Sequence, residues 1–589
     1  MIVLGFSGLS NGELYERRYG LRFVGHDAAV ALVIDGEPAF AAEEERFSRV
    51  KHTSALPVAA ARAALAHAGL RWSDIDRLAY PWRVSLPKYL HMFVHHAPRV
   101  PLRYSLPLAA TGLRVVHDLM WPAHARRSLE RALGERLPPC EGVEHHLGHS
   151  TVAYMTSPFE HAAVLTIDGQ GEDESATLGE WSGTSLRHFA SIRSPTSIGI
   201  LYGLVTDFLG MRAGWDEYKV MAMAGEGDPA RFRAEFERLV ELRGSGRYST
   251  RRTAMVFQPG YCERFLANVL GLPPRRADEP LQPVHFDLAA ALQETTRRVV
   301  FHLLRHLRQL SKANALCLAG GVALNSVING LVLESQLFER VYVPPVPGDH
   351  GGALGAALHV HQRHTHAPRR PLRFDTFLGP ELTESEIDAA LAAHGLEGSA
   401  DRPADLAATA AEQLAAGAVV ACCRGRMEYG PRALGHRSVL ASPIDAAMRE
   451  RINVRIKQRE LFRPFAAIVP VERATELFEL RGESPYMQFV VAVRDPWRSR
   501  LGAVQHHGRT RVQTVSRESD PFLHALLTEF ELRTGVPALL NTSFNGRDEP
   551  IVNSASDALR VYAASEIDAL ILGSRWLLRS PPEPSPHTF

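Results

Sequence analysis

Two histidines one helical turn apart are the first residues in this chain whose spacing suggests chemistry. In the run Glu144-His145-His146-Leu147-Gly148-His149-Ser150, a helix of about 3.6 residues per turn stacks His145 over His149 and turns His146 roughly 100° away. The stacked imidazoles can hold one metal ion between them. A carboxylate is the natural third ligand, and Asp349, in the turn-like Pro347-Gly348-Asp349-His350-Gly351-Gly352, is the candidate. The position after His145 is His rather than Glu, so the general base of a zinc-protease H-E-x-x-H motif is missing. Three ligands with open positions suit a metal that grips a substrate oxygen, and mixed nitrogen and oxygen ligation admits iron, zinc or manganese. An H-x-x-x-H pair also occurs on ordinary helix faces, so the spacing defines a candidate only.

The elements that must position these residues follow a repeated plan. Ile2 to Gly8 reads as a buried strand ending in a Ser-Gly loop, and Asp27 to Ile34 continues as a strand that turns at Asp35-Gly36 into Ala39 to Glu44. The plan recurs with the apolar strand Ala162 to Ile167 and the glycine loop Asp168-Gly169-Gln170-Gly171-Glu172. A hairpin of Ala176 to Trp181 and Ser185 to Ile192 then closes around Ser182-Gly183-Thr184. Two such copies predict the duplicated α/β architecture of the actin, sugar-kinase and heat-shock-chaperone ATPases (ribonuclease-H-like), whose glycine loops face a nucleotide. Cys317-Leu318-Ala319-Gly320-Gly321-Val322-Ala323-Leu324-Asn325 adds a strand, a glycine pair and a helix start, where backbone can approach a ligand closely. It is neither a Walker A loop nor G-x-G-x-x-G.

Composition describes an ordinary large globular protein. A length of 589 residues exceeds one hydrophobic core, and 45% hydrophobic with 22% charged residues is unremarkable. A formal charge of +1 supplies no broad field for nucleic acid. Five cysteines without C-x-x-C spacing argue against a disulfide framework, and neither a signal peptide nor a long apolar run is legible, so a cytoplasmic protein without a membrane partner is expected. The Pro- and Arg-rich run Gln362 to Arg373 suggests a boundary between domains at 1–365 and 366–589.

Beyond that boundary, Leu382 to Ala393 and Ala404 to Ala416 read as helices and Val419 to Cys423 as a strand. Between Arg424 and Arg463 the chain carries ten Lys or Arg against four Asp or Glu, around Gly430-Pro431-Arg432-Ala433-Leu434-Gly435-His436-Arg437. That local surplus suits a small, highly charged ligand, because arginine forks match phosphate oxygens. Leu539-Leu540-Asn541-Thr542-Ser543-Phe544-Asn545-Gly546 is a strand giving way to hydroxyl and amide groups, a cradle for phosphate or carbamoyl.

Several of these runs together resemble one family. Gly25-His26-Asp27-Ala28-Ala29-Val30-Ala31-Leu32, Glu43-Glu44-Glu45-Arg46-Phe47-Ser48-Arg49-Val50-Lys51-His52, Asp168 to Glu172, Asp216-Glu217-Tyr218-Lys219-Val220-Met221 and Gly320 to Asn325 are similar to the O-carbamoyltransferases of nodulation-factor and antibiotic biosynthesis, the NodU/CmcH family. The resemblance implies an iron, Fe(II), on His145, His149 and Asp349, and a carbamoyl-adenylate near Asp168, Gly169, Gly171, Lys219, Gly320, Gly321 and Asn325. It also implies a YrdC-like α/β C-terminal domain, in which Arg432, Arg437, Lys457, Arg463, Asn541 and Ser543 bind carbamoyl phosphate and ATP, with Mg accompanying the nucleotide.

His26 is expected to be catalytic, taking the proton of an acceptor hydroxyl, since histidine is the side chain that does so near neutral pH. The alternative for His26 is a bond to Asp27 that merely orders the loop. Asp216, Glu217 and Lys219 contact acceptor or nucleotide, or form a charged helix start. Residues 9–24 and 81–122 do not follow the family pattern and read as acceptor-site insertions. The expected activity is ATP-dependent transfer of a carbamoyl group to a hydroxyl of a small natural product such as a sugar, macrolide or ansamycin alcohol or β-lactam hydroxymethyl group. A homodimer is allowed for. The rivals are a threonylcarbamoyl-type tRNA-modifying enzyme, disfavoured by the neutral charge, and a non-catalytic actin-like ATP-binding regulator, which has no use for the basic run or the histidine pair.

Overall fold

The computed structural model describes residues 1–10, 25–96, 113, 116–251, 259–369 and 374–579. The expected insertion at 9–24 and the central part of the one at 81–122 lie mostly outside the described residues, as does 370–373 of the Pro- and Arg-rich run. The chain forms two compact units. The first comprises Met1–Leu378 with Tyr429–Pro431 and Gln488–Val490, and the second comprises Gly379–Glu428, Arg432–Met487 and Val491–Phe589.

The first unit is built on two five-stranded sheets of one topology. β1 (Ile2–Phe6), β2 (Ala29–Ile34), β3 (Glu37–Glu43), β4 (Arg77–Tyr80) and β5 (Cys140–Gly142) assemble in the order β3-β2-β1-β4-β5. The pairs β1–β2 and β2–β3 are antiparallel, and β1–β4 and β4–β5 are parallel. β6 (His161–Ile167), β7 (Glu174–Ser182) and β8 (Ser185–Arg193) come next, followed by a small ribbon of β9 (Val240–Leu242) and β10 (Tyr248–Thr250). With β11 (Ala315–Ala319) and β12 (Arg340–Tyr342) the second sheet has the order β8-β7-β6-β11-β12 and the same directions throughout. This repeat of three antiparallel and two parallel strands is the duplicated actin and sugar-kinase arrangement that the hairpin repeats predict. The inner strands β1, β6 and β11 are almost wholly buried, as their unbroken apolar runs require when helices cover a sheet.

Two helices join the sheets. The helix His145–Met155 packs on β6 and β11, and the helix Gly352–Thr365 packs on β1, β2 and β4 and against the first helix. Their crossing depends on glycine. A Cβ at Gly355 would stand 2.1 Å from the carbonyl oxygen of Gly148, and a Cβ at Gly5 would stand 1.9 Å from that of Ala353. Backbone therefore lies directly on backbone, a closeness that only residues without a side chain permit.

The second unit is also α/β, around a nine-stranded mixed sheet. Its middle strands run, in neighbouring order, Val420–Cys423, Arg437–Ala441, Leu539–Ser543, Ala466–Pro470 and Arg509–Val515. Each neighbouring pair among the first four is antiparallel, and the last pair is parallel. Among the described residues no helix is long and apolar enough to cross a membrane.

Candidate metal centre and active site

His145 opens the helix His145–Met155, and its backbone N–H donates to Glu172 at 3.2 Å. Its ring stacks on Trp82 with centroids 4.2 Å apart. One turn on, His149 is fully buried, and the Nε2 atoms of the two histidines face each other at 3.0 Å. Asp349 begins the tight turn Asp349–Gly351 that leads into the Gly352 helix. Its Oδ1 lies 3.5 Å from both Nε2 atoms. A fourth group, Asp168 at the end of β6, brings Oδ2 to 2.8 Å from His149 and 3.5 Å from His145. That oxygen is buried and takes no well-directed hydrogen bond.

These donors fit a cation. Atoms about 2.1 Å from one ion stand about 3.0 Å apart at right angles and about 3.4 Å apart at tetrahedral angles; the two histidine nitrogens lie 3.0 Å apart and 2.8 to 3.5 Å from the two carboxylates. Two carboxylates and two imidazole nitrogens offer lone pairs to one point, and facing nitrogens can share one proton at most. The same convergence shows in their acidities. Burial raises the Asp168 carboxyl, but the two histidines prevail and hold it well below the usual carboxylate range. For His149, burial favours the neutral ring, and the carboxylates overcome it to bring the group to about 9. His146 points elsewhere, to Thr166 at 2.7 Å and the Glu174 carbonyl at 3.1 Å, and burial with the nearby His145 pushes it down to about 3.

His26 stands beside this cluster. Its Nδ1 is 2.8 Å from Asp27 Oδ2 and its Nε2 is 3.9 Å from Asp349 Oδ2. Asp27 has φ of 59°, a left-handed conformation, and its other oxygen is 2.7 Å from His52 Nδ1. An Nδ1–H donated to Asp27 leaves the Nε2 lone pair facing the cluster. Burial alone would lower the His26 ring, but Asp27, then Asp349 and Asp168, lift it to about 10. A cation shared by Asp168 and Asp349 removes two of those three pulls.

The other residues expected in this unit divide into two groups. Gly169 donates its N–H to Asp168 Oδ1 at 2.6 Å, and a Cβ at Gly321 would lie 3.0 Å from that oxygen. Gly320 has φ of 89°, and a Cβ there would be 2.1 Å from the Ile167 carbonyl oxygen. Gly171 lies against His146 and His145. The glycines thus gather around Asp168. Lys219 and Asn325 are engaged locally. Lys219 Nζ is 3.0 Å from Asp216, and Asn325 caps the helix Ser326–Ser335 and exchanges two hydrogen bonds with Gln293.

In the second unit, burial pushes the Arg432 guanidinium down to about 10. Arg511, on the strand Arg509–Val515, is held well below its ordinary value by burial and then by Arg432, Arg459 and Arg463. Four crowded guanidinium groups repel one another, and an anion relieves the repulsion. Lys457 Nζ donates to the Ser543 carbonyl at 2.8 Å and to Asn545 Oδ1 at 2.5 Å. Asn541 donates to Gln513 at 2.7 Å, while its Oδ1 is buried without a hydrogen-bond partner. Arg437 is fully buried and donates to the carbonyls of Arg424, Gly425 and Asn553, which makes it a brace for the glycine-rich turn. Glu428 Oε1 accepts from the N–H groups of Leu434, His436 and Arg437 and fixes the same turn.

Sequence reasoning placed Asp168 with the nucleotide loop and did not place it among the metal ligands. The bond between His26 and Asp27 weighed in the sequence is present, whereas Arg511 was passed over as part of the basic cluster. The signal for Arg511 was an arginine between buried positions of a strand.

A duplicated actin and sugar-kinase-like fold carrying a His, His, Asp, Asp cluster, followed by an α/β unit with crowded arginines, defines a two-unit protein with a candidate cation centre in the first unit and a candidate anion centre in the second. Residues 17–358 match the family model described as Carbamoyltransferase N-terminus and residues 411–579 the one described as Carbamoyltransferase C-terminus; the chain belongs to the carbamoyltransferase family and is a carbamoyl-transferring enzyme. It is similar to nodulation protein NolNO of Sinorhizobium fredii, with 39% identity over 98% of this chain and 82% of the relative. It is also similar to an uncharacterised protein of Synechocystis, with 34% identity over 93% of this chain and 94% of that protein. Nodulation protein U of Bradyrhizobium diazoefficiens is 32% identical over 88% of this chain and 90% of its own. The solved structure of full-length HypF in a phosphate- and nucleotide-bound form covers 62% of this chain and 56% of its own at 12% identity, and its TM-score of 0.30 is too low to bear on function.

Proposed function

We propose that this enzyme is an ATP-dependent O-carbamoyltransferase whose two units, near the boundary expected at 365/366, divide the work. In the second unit carbamoyl phosphate and ATP become carbamoyl-adenylate, Mg accompanying the nucleotide. The atoms balance with one water. Hydrolysis of the phosphorus–oxygen bond of carbamoyl phosphate releases orthophosphate and carbamate, and a carbamate oxygen attacks the α-phosphorus of ATP and expels pyrophosphate. Arg432, Arg463 and Arg511 supply positive charge for these phosphates, and Lys457 and Ser543 adjoin them in the reading. The buried Oδ1 of Asn541 suits the amide N–H of a carbamoyl group.

In the first unit the acceptor hydroxyl oxygen attacks the carbamoyl carbon, the bond to the adenylate oxygen breaks, and AMP leaves. The hydroxyl proton passes to His26 Nε2, whose ring Asp27 orients. Gly169, with open space where a Cβ would stand, leaves room for the adenylate to lie close to backbone, while Gly171, Gly320 and Gly321 let the loop pack tightly around Asp168 and the histidines. A divalent cation held by His145, His149, Asp168 and Asp349, Fe(II) in this reading with Zn or Mn as alternatives, supplies Lewis-acid polarisation of a carbonyl oxygen when bound. The acceptor is a hydroxyl of a small natural product, and neither nucleic acid nor membrane takes part.

The observation that carries this reading is the placement of His26 Nε2 3.9 Å from Asp349, within a cluster of four convergent ligand atoms, in a chain of this family. Carbamoyl-phosphate-dependent release of pyrophosphate from ATP by the iron-loaded protein, without acceptor, tests it. Pyrophosphate and AMP that appear only with carbamoyl phosphate, and vanish in Arg432→Ala, are the expected result. Conversion of ATP to ADP regardless of carbamoyl phosphate would overturn it.

A further inference from the structure

A second group of ligand atoms lies apart from the residues used above. His117 and Asp118 sit in the helical turn before Trp121, and His124 is in the first turn of the helix Pro122–Leu133. His117 Nδ1 is 2.7 Å from Asp118 Oδ1, and His124 Nε2 is 3.9 Å from the same oxygen. One ligand atom from each residue lies within 4.8 Å of the others, and the two imidazole rings are 4.5 Å apart. An ordinary hydrogen bond between neighbours explains His117 and Asp118. It does not explain His124, whose Nε2 is buried with no hydrogen-bond partner.

We propose that His117, Asp118 and His124 form a second metal site, for a zinc-like divalent cation, independent of the His145 and His149 centre. The chemistry selects the ion. Two imidazoles and one carboxylate are too few oxygens for calcium or magnesium but suit zinc. The spacings of 2.7 and 3.9 Å bracket the about 3.0 to 3.4 Å expected around one ion, and His117, 53% exposed, is free to adjust.

The site is a clip. It ties the turn before Trp121 to the helix after it, and the start of that helix bears on the metal centre's surroundings. A Cβ at Gly142 would meet Pro122 Cγ and the Trp82 carbonyl oxygen, each at 2.6 Å, and the Trp82 ring stacks on His145. Zinc at the clip fixes this layer without touching substrate.

The test is the zinc content of the tag-free full chain after incubation with zinc and desalting, with thermal unfolding followed in parallel. Wild type is expected to retain one zinc per chain more than either His117→Ala or His124→Ala. The His145→Ala/His149→Ala double variant keeps that zinc. Zinc raises the unfolding temperature of the His145→Ala/His149→Ala variant and leaves unchanged that of the same variant carrying His124→Ala as well. Should His124→Ala fail to fold, the exposed His117→Ala decides. Equal zinc content in wild type and these clip variants overturns the proposal, whatever the first centre binds.

Discussion

At the residue scale, the proposed chemistry depends on a proton acceptor held at a fixed angle. Asp27 contacts His26 and His52 at 2.8 and 2.7 Å from a left-handed backbone, so the imidazole of His26 has little freedom to turn. His26→Asn is therefore expected to lower the turnover number of carbamoyl transfer by roughly 10²–10⁴-fold. Bound metal should stay unchanged, as measured by elemental analysis beside steady-state kinetics, because Asn removes the base without touching a ligand. Unchanged turnover would reduce His26 to a residue that only orders its loop. The histidine pair was legible because both members lie on one helix, where spacing fixes geometry. Asp168 was not. A carboxylate at a strand end before Gly-Gln-Gly reads as part of a phosphate loop, and its approach to His149 depends on how β6 packs against a helix that starts more than twenty residues earlier.

At the element scale, the centre is assembled by helices that meet on glycine. Gly355→Ala drives a methyl group into the Gly148 carbonyl, 2.1 Å from the ideal Cβ. Because the atom it meets is backbone, no rotamer change relieves the clash. The substitution is expected to cost about 1–3 kcal/mol and to weaken metal retention, both read by denaturation and metal analysis of the variant. The duplicated strands were visible as repeated hairpins, since apolar period and turn residues act locally. The helix crossing was not visible, because it depends on two glycines more than two hundred residues apart.

A second element owes its start to charge. Asp520 accepts from the Leu523 N–H at 3.0 Å at the head of the helix Pro521–Thr534 and pairs with Arg424 and, at 3.4 Å, with His436. Burial raises the Asp520 carboxyl, but Arg424 and His436 outweigh it and bring it down to about 2. A depressed acid stabilises the fold above its unfolded value near ~3.9 and loses that contribution as pH falls toward about 2, which makes it about 2–3 kcal/mol at neutral pH. In urea titrations, Asp520→Asn should be less stable than wild type by about that amount near pH 6. The gap should close progressively below pH 4. A gap independent of pH would show that the loss comes from packing.

At the scale of the whole molecule, the cation centre belongs to the first unit and the crowded arginines to the second. If each half-reaction belongs to one unit, damage to one centre should spare the other's readout. Arg511→Ala is expected to lose carbamoyl-phosphate-dependent pyrophosphate release while keeping its metal. His149→Ala should lose the metal and carbamoyl transfer while still releasing pyrophosphate. Loss of both readouts in either variant would show that the halves do not work separately. The excess of basic residues between Arg424 and Arg463 announced the anion centre. Arg511 was hidden because a strand across the sheet delivers it from outside that stretch.

The bare crossing of Gly148 and Gly355 also has a mechanical consequence. One helix rests on the second sheet and the other on the first, and each carries ligands of the cation centre at or just before its start. Where Gly148 meets Gly355 no side chain stands between the backbones to yield, so the crossing would serve as a pivot with little play. If, as the proposed function requires, the sheets part to admit or release a nucleotide, the widest travel would fall far from this crossing. The candidate ligand cluster lies beside this crossing, where such a rotation would barely alter its spacing, so an opening for substrate would leave an ion held there undisturbed.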